Sequence, residues 1–212
     1  MEDVVKKLFE AVLEGDFDGV KTNVQSALDA NLDPTIILNN GMIAAMREVG
    51  VRFEAGEYYV PEMLIAARAM QSGMAILKPH LQQTDRKSSG KVVIGTVKGD
   101  LHDIGKNLVS LMLEGAGYEI VDLGVDVPAE EFVKQATALK PDIIAMSALL
   151  TTTMPSMRTT IDALTAVGLR NHVKVIVGGA PVTESYAQQI EADGFSTDAS
   201  RAVNVVNELL GN

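Results

Sequence analysis

Cysteine is absent from the 212 residues. Disulfides, thiolate metal sites and cysteine nucleophiles are therefore excluded, and the composition suits a reducing compartment such as the cytoplasm. Long apolar runs are missing too. The Met- and Ala-rich stretch from Gly41 to Met46 is too short to span a bilayer, so no membrane association is expected. No positively charged leader precedes an apolar segment, and no secretory signal is expected. Basic residues are in deficit, with 18 Lys and Arg against 28 Asp and Glu and a formal charge of −10 at pH 7. Nucleic acid demands a basic face, so this balance argues against it as a partner. The negative charge favours solubility and can steer the chain towards basic surfaces on partner proteins. The 47% hydrophobic share supports a real core, and the length allows one large domain or two modest ones.

Two halves read differently. From Asp3 to about Pro79 every apolar pattern has a helical period. Helices are expected over roughly Asp3–Glu14, Asp18–Ala30, Pro34–Phe53 and from Pro61 onward. Asp33 before Pro34 is an N-cap signal, and Val60, Leu64, Ala67, Met74 and Leu77, with Met63 and Met70 alongside, mark one face of the last helix. Four helices on short loops make a small bundle, residues 1–81. Gln82–Gly90 (QQTDRKSSG) is polar and aperiodic and reads as a linker.

Residues 91–212 repeat strand, loop and helix. Lys91–Val97, Tyr118–Leu123, Asp142–Ser147, Val173–Val177 and a weak Gly194–Ser196 read as strands. Helices are expected over Ile104–Ala116, Pro128–Leu139, from Pro155, Glu184–Ala192 and Ser200–Leu210. Five such units predict an α/β domain, a doubly wound (Rossmann-like) five-stranded parallel sheet covered by helices on both faces. The flavodoxin-like order 2-1-3-4-5 is the expected topology, with ligands at the carboxyl ends of strands one and three.

That rule points to the loop Lys98–Gly105 (KGDLHDIG) after strand one. The imidazole of His102 is a good ligand for a borderline transition metal such as cobalt. A metal-bound imidazole needs its other N–H held by a carboxylate; Asp100 is placed for that, and Asp103 is the alternative, although Asp103 also suits the start of the following helix electrostatically. Gly105, after Ile104, would let a large planar cofactor approach the helix start. Ser147 and Leu149 close strand three ahead of the hydroxyl cluster Thr151, Thr152 and Thr153, and Gly178 and Gly179 close strand four. Taken singly, a loop histidine is more often structural, a Ser/Thr run a cap and a Gly pair a turn. Three strand ends converging on one switch point are far more specific. His80 and His172 read as surface residues.

These residues carry a resemblance. Asp100, His102 and Gly105, then Ser147 and Leu149, then Gly178 and Gly179 are similar in identity and spacing to the pattern of the cobalamin-binding modules of methionine synthase and of corrinoid methyl carriers. The stretches GDLHDIGKNLV and GYEIVDLGVDVPAEEFV resemble them closely, and Phe53–Met70 (FEAGEYYVPEMLIAARAM) resembles their helical cap. The resemblance implies a cofactor, cobalamin, bound base-off with His102 on cobalt. It implies contacts from Asp103, Ile104, Gly105, Ser147, Leu149, Thr151, Gly178 and Gly179, and a relay from His102 through Asp100 to a hydroxyl at Thr153. Phe53 and Val60 would cover the upper corrin face, as part of a lid hinged near Gln82–Gly90. The implied function is a non-autonomous subunit that cycles between cobalt(I) and methyl-cobalt(III), while His102 binds and releases the metal. Its expected partners are a substrate-specific methyltransferase, a methyl-acceptor methyltransferase and a reductive activase. A cobalamin-dependent sensor or light-responsive regulator is the alternative, but such modules add a basic DNA-binding segment that is not seen here. A mutase subunit would lack the helical cap.

Overall fold

The structure, a computed structural model, describes residues 2–81 and 88–211. Most of the expected linker, residues 82–87, lies outside the described residues. The chain divides into two compact units, Met1–Lys87 with Gly115–Gly117 and Ser88–Glu114 with Tyr118–Asn212. Among the described residues no helix is long and apolar enough to cross a membrane.

The first unit is helical: α1 (Glu2–Glu14), α2 (Phe17–Asp29), α3 (Pro34–Ile36), α4 (Ala44–Glu54) and α5 (Val60–Leu81). Asp33 caps α3 by accepting the Thr35 N–H at 2.7 Å, with Pro34 at the first turn. The single helix expected over Pro34–Phe53 is helical throughout but is not one α-helix, because Ile37–Ile43 between α3 and α4 is wound as a π-helix. At that widened stretch Gly41 lies against α1; a Cβ there would fall 2.6 Å from Leu8 Cδ2.

The expected inward face of α5 also needs correction. Met63, Ala66, Ala67, Met70, Gly73 and Leu77 are buried, Leu64 and Met74 are only half-buried, and Val60 is 40% exposed. Small residues decide this rotation. They let α2 come close, and a Cβ on Gly73 would lie 2.6 Å from Val20 Cγ1.

The second unit alternates strand and helix: β1 (Lys91–Thr96), α6 (Ile104–Gly115), β2 (Glu119–Asp122), α7 (Ala129–Leu139), β3 (Ile143–Ser147), α8 (Pro155–Ala166), β4 (Lys174–Gly178), α9 (Glu184–Gln189), β5 (Gly194–Ser196) and α10 (Ala199–Leu210). All pairings are parallel and the order is β2-β1-β3-β4-β5, as the strand–helix alternation predicts. Val93, Ile144 and Val175 share one face of the sheet and belong to a core with Phe132 of α7 and Met157 and Ile161 of α8. At the carboxyl edge the register sets Thr96 beside Ser147, Ser147 beside Gly178, and Gly178 beside Ser196. This row of small residues forms the floor on which the loops of the site rest. His80 and His172 are exposed, as expected.

Candidate functional site

The loop leaving β1 turns sharply after Val97, and Gly99 takes a left-handed conformation (φ 85°) that delivers Asp100 inward. Asp100 is 0% exposed. Its Oδ1 accepts the His102 ring Nδ1–H at 2.7 Å and the His102 backbone N–H at 3.1 Å. Its Oδ2 accepts the N–H groups of Leu149 at 2.7 Å and Leu150 at 3.2 Å, and the Thr153 hydroxyl at 2.7 Å. Burial alone would raise the pKa of this carboxyl. The hydrogen bonds from Thr153, His102 and the backbone at Leu149 and His102 outweigh burial and hold it well below the usual carboxylate range.

An ionised Asp100 can only accept, and this decides two proton positions. Thr153 Oγ1 lies within reach of both Asp100 Oδ2 and the Leu150 carbonyl, at 2.8 Å, but has one proton, which points to the carboxylate. His102 must carry its proton on Nδ1. In the neutral ring Nε2 then carries the lone pair, and it has no hydrogen-bond partner among the described residues, on a side chain 51% exposed. Thr96, fully buried at the end of β1, donates its hydroxyl to the His102 carbonyl at 2.9 Å and holds the main chain under the ring. The geometry therefore selects Asp100 over Asp103. Asp103 is exposed and accepts from the Asn107 side-chain amide at 3.0 Å.

Beside His102 a cavity of about 480 Å³ opens between the sheet edge and the starts of α6 and α10. His102, Asp103, Ile104 and Gly105 line it from one side. Ser147 and Leu149 line it from the end of β3, and Gly178 and Gly179 from the end of β4. Its deeper wall is apolar, with Ile94, Ala145, Ile176, Val109 and Ala202. The two glycine sites differ physically. Gly179 is demanded by the fold, since its φ is 128° and a Cβ would fall 1.9 Å from the Ala148 carbonyl oxygen. A Cβ on Gly105 would meet nothing within 4 Å, so folding does not require a glycine there. Ile104, 83% exposed, presents bare hydrocarbon beside the histidine.

Thr151 is exposed and does not line the cavity. Phe53 and Val60 lie in the helical unit. Phe53 is half-buried near the end of α4 and Val60 is the first residue of α5, with the turn 55–59 between them. The sequence reading missed Thr96 and the segment Ser196–Ala199, which lines the cavity after β5. A signal for the second existed. Asp198 is an N-cap, accepting the Arg201 N–H at 2.9 Å, and it follows a strand end in a parallel sheet, where ligands collect.

Among the described residues no group of three or more His, Asp or Glu side chains could hold a metal ion. A lone imidazole is a suitable ligand for a metal that arrives already bound in a cofactor. Two family models described as B12 binding domains match the chain, one over residues 90–204 and one over residues 4–78. Trimethylamine corrinoid protein 1 of Methanosarcina acetivorans is 42% identical over 99% of this chain and 98% of its own length. Dimethylamine corrinoid protein 1 of the same organism is 44% identical over 99% and 98%. Among solved structures, the methanol:cobalamin methyltransferase complex of Methanosarcina barkeri contains a chain that superposes with a TM-score of 0.90 at 30% identity, over 100% of this chain and 81% of that one.

Proposed function

The chain belongs to the B12-binding corrinoid proteins, and from that premise we propose that it is a methyl carrier in which His102 is the lower ligand of cobalt. The observation that carries the ligand assignment is the buried Asp100 beneath His102, which fixes the Nδ1–H tautomer and leaves Nε2 unpartnered beside an apolar cavity. When bound, the corrinoid would supply the methyl-transfer chemistry at its cobalt, between one methyltransferase that loads the carrier and another that unloads it. The chain's residues hold and tune it. The open space at Gly105 and the hydrocarbon of Ile104 suit a flat apolar ring, and the cavity bounded by Ser147, Leu149, Gly178 and Gly179 would take the nucleotide tail, with Asp103 at its mouth. Asp100 orients the imidazole and strengthens it as a donor, and the Thr153 hydroxyl keeps Asp100 ionised. Phe53 and Val60 are assigned to covering the upper corrin face by resemblance to the family's cap.

A carrier of this kind needs one methyltransferase to load it, a second to unload it and a reductive activase to restore its cobalt. The names of the relatives make methylated amines the first donors to test. The ligand assignment is tested by electron paramagnetic resonance of the protein loaded with cobalamin and reduced to cobalt(II). One histidine nitrogen should split the signal, and His102→Ala should remove the splitting. The same splitting in the variant would refute the assignment.

A further inference from the structure

Gly99 makes Asp100 a problem for the local backbone. A glycine at φ 85° leaves the direction of the next residue weakly determined, yet the orientation of His102 depends on where Asp100 points. The fold supplies the restraint from another strand. Asp126, in the loop between β2 and α7, accepts the Gly99 N–H on its Oδ1 at 2.7 Å and donates its own N–H to the Asp100 carbonyl at 3.0 Å. One residue thus grips the Gly99–Asp100 pair at both ends.

Asp126 is itself in the left-handed region, at φ 53°. Aspartate tolerates that region better than most residues but still pays a conformational cost there. The side-chain bond it makes is solvent-exposed, and exposed bonds return little stability. Backbone strain retained for an exposed bond points to the position of what is gripped rather than to the fold.

The loop that carries Asp126 is anchored independently. Thr96 N–H bonds the Gly124 carbonyl at 3.0 Å and Val127 N–H bonds the Thr96 carbonyl at 2.9 Å. Asp122 accepts the Gly124 N–H at 2.8 Å and pairs with the buried ammonium of Lys106, one residue after Gly105. Removing the Asp126 side chain therefore leaves the loop in place and subtracts only one end of the grip.

We infer that Asp126 is a positioning residue for the lower ligand: it sets the Gly99–Asp100 backbone so that Asp100 holds His102 in the Nδ1–H tautomer. The inference rests on the reading of His102 as the cobalt ligand, but it can be tested without cofactor. Two variants of the full chain separate position from stability. Asp126→Gly removes the acceptor and is comfortable at φ 53°, whereas Asp126→Asn keeps an oxygen for the Gly99 N–H and also tolerates that conformation.

Nitrogen-15 NMR of the apoprotein reads the tautomer of His102. Asp126→Gly should shift the Nδ1–H to Nε2–H ratio towards Nε2–H on the order of tenfold and speed exchange of the Gly99 amide. Asp126→Asn should match the unsubstituted protein in both. In the cobalt(II) holoprotein the same order should appear in the ratio of histidine-ligated to histidine-free signal. An unchanged tautomer ratio in Asp126→Gly, or an equal shift in both variants, overturns the inference. So does a glycine variant that unfolds, since Asp126 would then serve the fold. Absence of histidine splitting in the unsubstituted holoprotein would instead refute the ligand assignment and leave the apoprotein comparison valid.

Discussion

Thr153→Val deletes one hydroxyl and almost no volume, so it isolates a single hydrogen bond to a carboxylate sealed from water. Asp100 is 0% exposed and Thr153 is 7% exposed, and no solvent can replace the donor. Hydrogen bonds to charged groups contribute about 1.5–3 kcal/mol. Oδ2 keeps the Leu149 and Leu150 amides at 2.7 and 3.2 Å, which places the loss in the lower part of that range. Urea unfolding of the apoprotein at pH 7 should therefore show a loss of about 1.5–2 kcal/mol.

The effect has a pH signature. A carboxyl whose folded pKa is depressed contributes stability that is present above its unfolded pKa, about 3.9, and is lost as pH falls towards the folded value. Thr153 is the first of the groups that depress Asp100, so the variant's folded pKa lies higher and the variant has less to lose in acid. The unfolded carboxyl titrates alike in both proteins and cancels, so the stability gap should stay constant as pH falls through the unfolded pKa. It should narrow only as pH approaches the variant's folded pKa, which the remaining His102 and Leu149 bonds keep below the usual carboxylate range. A gap under about 0.5 kcal/mol at pH 7, the scale of an ordinary surface substitution, would refute the reasoning. A gap that widens on acidification would show that the hydroxyl favours the protonated carboxyl and does not donate to an ionised Asp100.

Other perturbations divide fold from site. Gly105→Ala meets no atom within 4 Å and should leave apoprotein stability unchanged or raised by up to about 1 kcal/mol, while weakening cobalamin binding at least about tenfold in a spectrophotometric titration. Unaltered affinity would remove Gly105 from the cofactor surface. Gly179→Ala drives a Cβ into the Ala148 carbonyl and should cost more than about 3 kcal/mol, whereas Gly178→Ala, whose nearest contact is the Ser196 carbonyl oxygen at 3.1 Å, should cost under about 1 kcal/mol. Equal melting temperatures for the two would contradict that geometry. Phe53→Ala, at a half-buried position, should retain helix content by circular dichroism and speed photolysis of bound methylcobalamin. Unchanged photolysis with a sharply lowered melting temperature would make Phe53 a core residue only.

Much of the architecture was legible along the chain because its signals are local. β-Branched runs such as Lys91–Val97 and helical periods such as Ile104–Ala116 each report their own element, and strand–helix alternation implies the parallel order. The π-helix over Ile37–Ile43 was not legible, since one extra residue per turn leaves no composition mark. The face of α5 was misread because Ala and Gly, weak hydrophobic signals, are what the neighbouring helix packs against.

At the site the division is sharper. Residue types and spacing singled out His102, its neighbouring aspartates and the strand ends around it, because a parallel sheet gathers its carboxyl-end loops at one edge. Only the tertiary structure chose between Asp100 and Asp103, which lie three positions apart. One is sealed beneath the ring and the other faces water. Only the fold brings Thr153, fifty-three positions away, and Asp126, from the loop after a neighbouring strand, onto the same turn of backbone. A hydrogen bond is an angstrom-scale relation between groups whose separation along the chain carries no distance, so it becomes fixed when strand register closes the sheet.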